Sequence, residues 1–129
     1  MKQIISIAAL KAEAQQIQDY LESPITEDPP ELVDRGSKLS AYLARTSKML
    51  ADSKMHLDLK RKSAIMEQLK GIGLRLDIPA TTLNDLIRAS CEEENYLVTW
   101  IERLNRTATH QLDWCRTLIS KAKEEMKYG

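Results

Sequence analysis

Residues 83–122 read LNDLIRASCEEENYLVTWIERLNRTATHQLDWCRTLISKA, and a single seam runs through them: Leu83, Ile87, Ser90, Glu94, Leu97, Ile101, Leu104, Ala108, Gln111, Cys115, Leu118 and Ala122. Steps of alternately four and three residues give the 3.5-residue repeat of helices that pack along their whole length. No Pro or Gly interrupts the stretch. It predicts one long helix over residues 83–127, and with it an all-α fold.

The region before it repeats the rhythm. Asp28-Pro29-Pro30-Glu31 is a helix start: Asp28 caps, Pro29 suits the first helical position, and Glu31 stands three residues after the cap. The stripe Leu32, Gly36, Leu39, Leu43, Thr46, Leu50, Ser53, Leu57 then predicts a helix over 29–69, with Gly36, Thr46 and Ser53 small enough to let a neighbour approach closely. A shorter helix over 5–22 follows from Ile7, Leu10, Ala14, Ile17 and Leu21, and Ser23-Pro24 ends it. Lys70-Gly71-Ile72-Gly73 is read as the stop of the second helix. Residues 70–82 then form an apolar tip, with Thr81 or Thr82 capping the third helix. The expected architecture is a three-helix bundle in one domain, 1–129: a long antiparallel hairpin with a shorter N-terminal helix on it.

Composition agrees. The chain is 43% hydrophobic and 29% charged, with 4 Gly, 4 Pro and no Phe, which favours helices over a sandwich or barrel. No window reaches the roughly 18 apolar residues of a membrane span. Lys11 and Glu13 cut short the apolar start, so the N-terminus is read as helix, not as a signal peptide, and the protein is expected in the cytosol. The two cysteines, Cys91 and Cys115, are 24 positions apart on one predicted helix. At ~1.5 Å per residue they lie too far apart to bridge, and are read as buried free thiols.

Charge is arranged in blocks. Residues 54–75 carry a net +4 and residues 76–102 a net −5, while residues 103–129 carry +3 and residues 1–53 carry −2. Folding back at the tip sets opposite signs side by side. Glu94 interrupts the seam, and Lys54 or Lys60 is its expected partner across the hairpin, setting register.

Catalytic patterns are missing from the sequence. His56 and His110 would face Leu97 and Leu43 respectively and do not meet, and neither a Cys-x-x-Cys nor a His-Glu-x-x-His motif is present. Gly71-Ile72-Gly73 lacks the third glycine and the preceding strand of a nucleotide fingerprint. Glu92-Glu93-Glu94 faces a basic segment and is read as a solvated face. No enzyme activity, metal or cofactor is expected. One surface stands out: Arg103, Arg106, His110 and Trp114 share a helical face, with Arg116 beside it, a pattern able to hold a phosphate backbone and stack a base. Trp100 and Trp114 are expected to pack the first helix or to anchor a partner.

The stretches Leu43 to Asp52 (LARTSKMLAD) and Trp100 to Thr107 (WIERLNRT), with the tail Gln111 to Glu125, resemble small helical proteins encoded by phages and integrated mobile elements. The resemblance implies a setting, either virion assembly or a replication and recombination gene cluster, and no particular activity. The expected function is that of a structural or adaptor protein acting through helix packing, by self-association or with a protein partner and not on a membrane. The alternative is an accessory DNA- or RNA-binding protein.

Overall fold

A computed structural model describes residues 3–72 and 78–128. Among these residues 89% are helical and none lies in a strand. Four helices follow one another: α1 (Ile7–Glu22), α2 (Pro29–Ile72), α3 (Ala80–Ser90) and α4 (Glu92–Tyr128).

The all-α expectation holds, but the helix count is four, not three. The predicted helix 83–127 is interrupted at Cys91. There φ is −113° and ψ 17°, and the Cys91 amide donates to Arg88 O, three residues back, instead of four. The local tightening carries the seam from Ile87 to the fully buried Cys91, and Ser90 stays exposed. Glu92, Glu93 and Glu94 thereby form the first turn of a new helix, where carboxylates meet the positive end of its dipole. That triple acid was the available sign of a helix start.

Other boundaries shift for local reasons. Ser6 caps α1 by accepting from the Ala9 amide at 3.2 Å. Lys70, Gly71 and Ile72 continue α2 and do not stop it. The expected stop at Gly73, and the part of the tip over 73–77, lie outside the described residues. Pro79 takes the N-cap position of α3 without a side-chain bond, so Thr81 and Thr82 fall inside the helix. At the start of α2, Glu31 accepts from the Thr26 hydroxyl.

Three helices build the core. Lys11–Glu93 and Gln18–Trp100 contacts run α1 parallel to α4, and Arg45–Glu13 with Tyr20–Tyr42 run it antiparallel to α2. Leu10, Ala14, Ile17 and Leu21 bury one face of α1 against Leu32, Leu39 and Met49 of α2 and Leu97, Ile101, Leu104, Ala108, Cys115 and Leu118 of α4. The α4 seam is therefore as read from Glu94 to Leu118, with Gln111 half-buried. On α2 the expected stripe is joined by Arg35, Met49 and Asp52, because this helix packs two neighbours and buries a wider arc than one seam.

The buried Thr46 and Ser53 hydroxyls are satisfied locally, whereas the buried Arg35 Nε has no hydrogen-bond partner among the described residues. Thr46 bonds the Tyr42 carbonyl at 2.8 Å and Ser53 the Leu50 carbonyl at 2.9 Å, the usual recourse of a hydroxyl inside a helix. Gly36 does not mark the expected close approach: a Cβ there would meet only Leu112 Cδ1, at an ordinary 3.7 Å. Gly36→Ala should therefore stabilise the fold by about 0.5–1 kcal/mol through helix propensity and a less flexible unfolded chain. A chemical denaturation midpoint below wild type would contradict this.

Packing thins toward one end. Past Leu57, among the described residues only Ala64 of α2 is buried, and no residue of α3 is. This stretch of α2 with α3 forms a two-helix arm projecting beyond the three-helix core.

Candidate functional site

Three places on the described structure concentrate polar chemistry. The first is a buried hub around Arg35, which is 8% exposed. Nη2 donates to Gln111 Oε1 at 2.7 Å and to the Tyr20 carbonyl at 3.3 Å, and Nη1 donates to Ser23 Oγ at 2.9 Å and to the Pro24 carbonyl at 3.3 Å. The guanidinium stacks on the Tyr20 ring, 4.5 Å from its centroid, and Gln111 in turn donates to the Leu21 carbonyl at 2.8 Å. A cation at the carbonyl end of α1 is favoured by that helix's dipole. Among the described residues no carboxylate pairs with Arg35, so the Tyr20 and Pro24 carbonyls, the Ser23 hydroxyl and the Gln111 amide oxygen surround the charge. Burial pushes the nearby Cys115 thiol up, and Arg35 opposes the shift.

The second place clamps the N-terminal segment. The Ile5 amide donates to Asp52 Oδ2 at 2.9 Å, and its carbonyl lies 2.7 Å from His56 Nε2. A carbonyl only accepts, so Nε2 carries the proton. His56 thus binds the segment before α1 and does not face Leu97 as expected. Burial pushes the Asp52 carboxyl up, but Lys48, the Ile5 amide and His56 together outweigh it and hold the group below its ordinary range. A carboxyl depressed in the folded chain contributes stability above its unfolded pKa, and that contribution is lost as pH falls through the lower folded value. Stability should thus decline below about pH 4. Asp52→Asn should be less stable than wild type at neutral pH, and the gap should narrow in acid. Thermal melts near pH 7 and pH 3 test this, and a gap of constant size would refute it.

The third place is the predicted basic and aromatic face of α4. Arg103, Arg106, His110, Trp114 and Arg116 are all exposed, Trp114 by 52%. They do not form one site. Arg106 and His110 share a shallow groove with Leu50, Asn105, Thr109 and Glu102, whose carboxylate opposes an anion there. Arg116 pairs with Asp113 on its own helix at 3.4 Å. Of the two tryptophans, Trp100 packs α1, donating to Gln18 Oε1 at 3.0 Å, while Trp114 faces out.

The expected register pair is also corrected. Glu94 is 9% exposed and makes no ion pair among the described residues; Lys54 lies 4.0 Å from Glu102, and Lys11 takes Glu93. Lys60 has no ion-pair partner among the described residues. A lysine reaching Glu94 would have to desolvate both charges, whereas a surface pair does not. Hydrogen bonds that use no carboxylate tie α2 to α4 instead: Asn105 Nδ2 donates to Thr46 Oγ1 at 2.8 Å, and Gln111 Oε1 accepts from Arg35.

Sequence reasoning missed the Arg35–Gln111 hub and the Asp52–His56 clamp. An arginine and an aspartate set within apolar heptads of α2 were the available signals. Among the described residues, no three His, Cys, Asp or Glu side chains are placed to hold a metal, and no helix is long and apolar enough to cross a membrane. Cys91 and Cys115 are both buried and free. What the residues define is an all-α protein with a polar-latched core and an open two-helix arm. Comparison with family models, with curated proteins and with solved structures finds no significant match.

Proposed function

We propose that this chain is a non-enzymatic structural or adaptor protein that works by presenting helix surface to other helices. The observation that carries the reading is the arm: Leu59, Ile65, Met66 and Leu69 of α2 and Leu86 of α3 are 42–56% exposed, on helices that continue well past the core. Apolar side chains grouped on one projecting element are the usual mark of an interaction site. The polar latches of the core suit that role, since they hold a rigid base from which the arm projects. Following its resemblance, the proposed setting is a phage or mobile-element assembly made in the host cytosol.

A second reading, accessory DNA or RNA binding, draws on Arg103, Arg106 and His110, which are exposed and make no ion pair among the described residues. The formal net charge of +0 weighs against it. The two readings differ in salt response. Apolar docking is nearly indifferent to moderate salt, whereas phosphate contacts make log K fall linearly with log salt. Titration of single- and double-stranded oligonucleotides at two salt concentrations should give no submicromolar binding. Tight binding that loses about two units of salt slope in the Arg103→Ala/Arg106→Ala double variant would reverse the ranking.

A further inference from the structure

We infer that the Arg35 hub is a binding site for a small oxyanion, a carboxylate or phosphate group held between the end of α1, the link to α2 and the first turns of α2. The reason is an imbalance at the guanidinium. Arg35 is 8% exposed, and its four hydrogen bonds all go to neutral acceptors, two of them long at 3.3 Å. Among the described residues no carboxylate pairs with it, and its buried Nε has no hydrogen-bond partner. A buried charge needs an opposite charge, and a buried N–H needs an acceptor. One anionic oxygen at Nε supplies both.

There is room for it at the guanidinium. A groove of about 270 Å³ is lined by Arg35 together with Tyr20, Pro24, Thr26, Glu31, Asp34 and Lys38. The guanidinium lies at its wall, because two of the residues it bonds, Tyr20 and Pro24, also line it. Lys38 brings a second cation: its Nζ is 5.6 Å from the centroid of the same Tyr20 ring on which Arg35 stacks at 4.5 Å. Two carboxylates share the groove and oppose an anion, but each has a partner. Glu31 accepts from the Thr26 hydroxyl, and Asp34 lies 3.7 Å from Lys38. The Asp34–Lys38 pair is exposed and too long for a hydrogen bond, so the ammonium has donors to spare. Of the two cations, Arg35 alone lacks a carboxylate. A water at Nε would satisfy the N–H and leave the charge unmatched, and a metal cation would be repelled by it. These are the grounds for an anion as the occupant.

The test is a titration of the isotope-labelled full chain, read at the Arg35 Nε–H resonance by nuclear magnetic resonance. The probes are sodium phosphate and, separately, sodium acetate, with sodium chloride at matched ionic strength as the reference. At least one of the two oxyanions should shift that resonance saturably and beyond chloride, and the tighter of the two tells phosphate from carboxylate. Arg35 itself is left in place, since its loss would unsettle the fold, and exposed charges are changed instead. Lys38→Gln should weaken half-saturation about 2- to 5-fold, and Asp34→Asn should strengthen it by a similar factor. Arg103→Gln, at an exposed site outside the groove, should leave it unchanged. A resonance that does not move, or that moves equally in chloride, overturns the inference and leaves water as the partner of Nε. A saturable shift that neither Lys38→Gln nor Asp34→Asn alters places the anion elsewhere and overturns the groove as its seat.

Discussion

Leu104→Asp is expected to abolish cooperative folding. Leu104 is 2% exposed at the centre of the α4 seam, among Leu97, Ile101 and Ala108 and facing both α1 and α2. The substitution removes the burial of a leucine and forces a carboxylate into a site with no donor. The cost is about 4 kcal/mol or more, against the roughly 5–15 kcal/mol of total stability of an ordinary domain. The asparagine nearest in sequence, Asn105, is already committed to Thr46, so it is not free to solvate the new charge. Circular dichroism melts should show a transition shifted far down, or none at neutral pH with partial recovery in acid as the carboxyl protonates. A melt like that of wild type would mean that α4 does not bury this face.

Arg35→Ala should produce the second largest loss. The guanidinium supplies four hydrogen bonds to three different segments, and removing it takes the donor from Gln111 Oε1 and the Pro24 carbonyl, while the Tyr20 carbonyl keeps the Ser23 amide and hydroxyl. Hydrogen bonds to a charged group contribute about 1.5–3 kcal/mol, and stacking on Tyr20 adds about 0.5–1 kcal/mol, so a loss of about 2–4 kcal/mol is expected. The readout should be local as well as global. The last turn of α1 and the link to α2 should lose hydrogen-exchange protection before the centre of α4 does. Gln111→Ala should cost less, and the double variant should fall short of the sum of the singles, because both act on one network. Full additivity would show that the hub is two unrelated sets of contacts.

The periodic parts of this molecule were legible in the sequence. Unbroken spacing of four and three along residues 94–118 dictates a helix with one buried stripe. Asp28-Pro29-Pro30 dictates where α2 begins, and Ser23-Pro24 where α1 ends. Such features depend on backbone conformation and on the side-chain period of a single element, so they need no knowledge of the neighbours. The break at Cys91 had only the Glu92-Glu93-Glu94 run as its sign in the sequence, because its cause is tertiary. α3 packs mainly on α2, while α4 packs on α2 and α1 together. The register that suits one surrounding does not suit the other, and a one-residue correction puts Cys91, not Ser90, inside.

The candidate site divides in the same way. Sequence alone grouped Arg103, Arg106, His110 and Trp114 on one face of the helix, with Arg116 beside it, and all five are exposed, Trp114 among them although packing on the first helix was one of its two expected roles. Only the tertiary structure decided which of them converge, since that depends on where α2 lies: Arg106 and His110 share a groove beside Leu50, and the others stand apart. Helix content, the ends of α1 and the start of α2 followed from the chain because local backbone energetics fix them within a few residues, whereas the α3–α4 boundary did not. The hub at Arg35, the clamp at Asp52 and His56, and the exposed apolar side chains of the arm followed from the fold. Each depends on groups from segments far apart in sequence meeting, or failing to meet, in space.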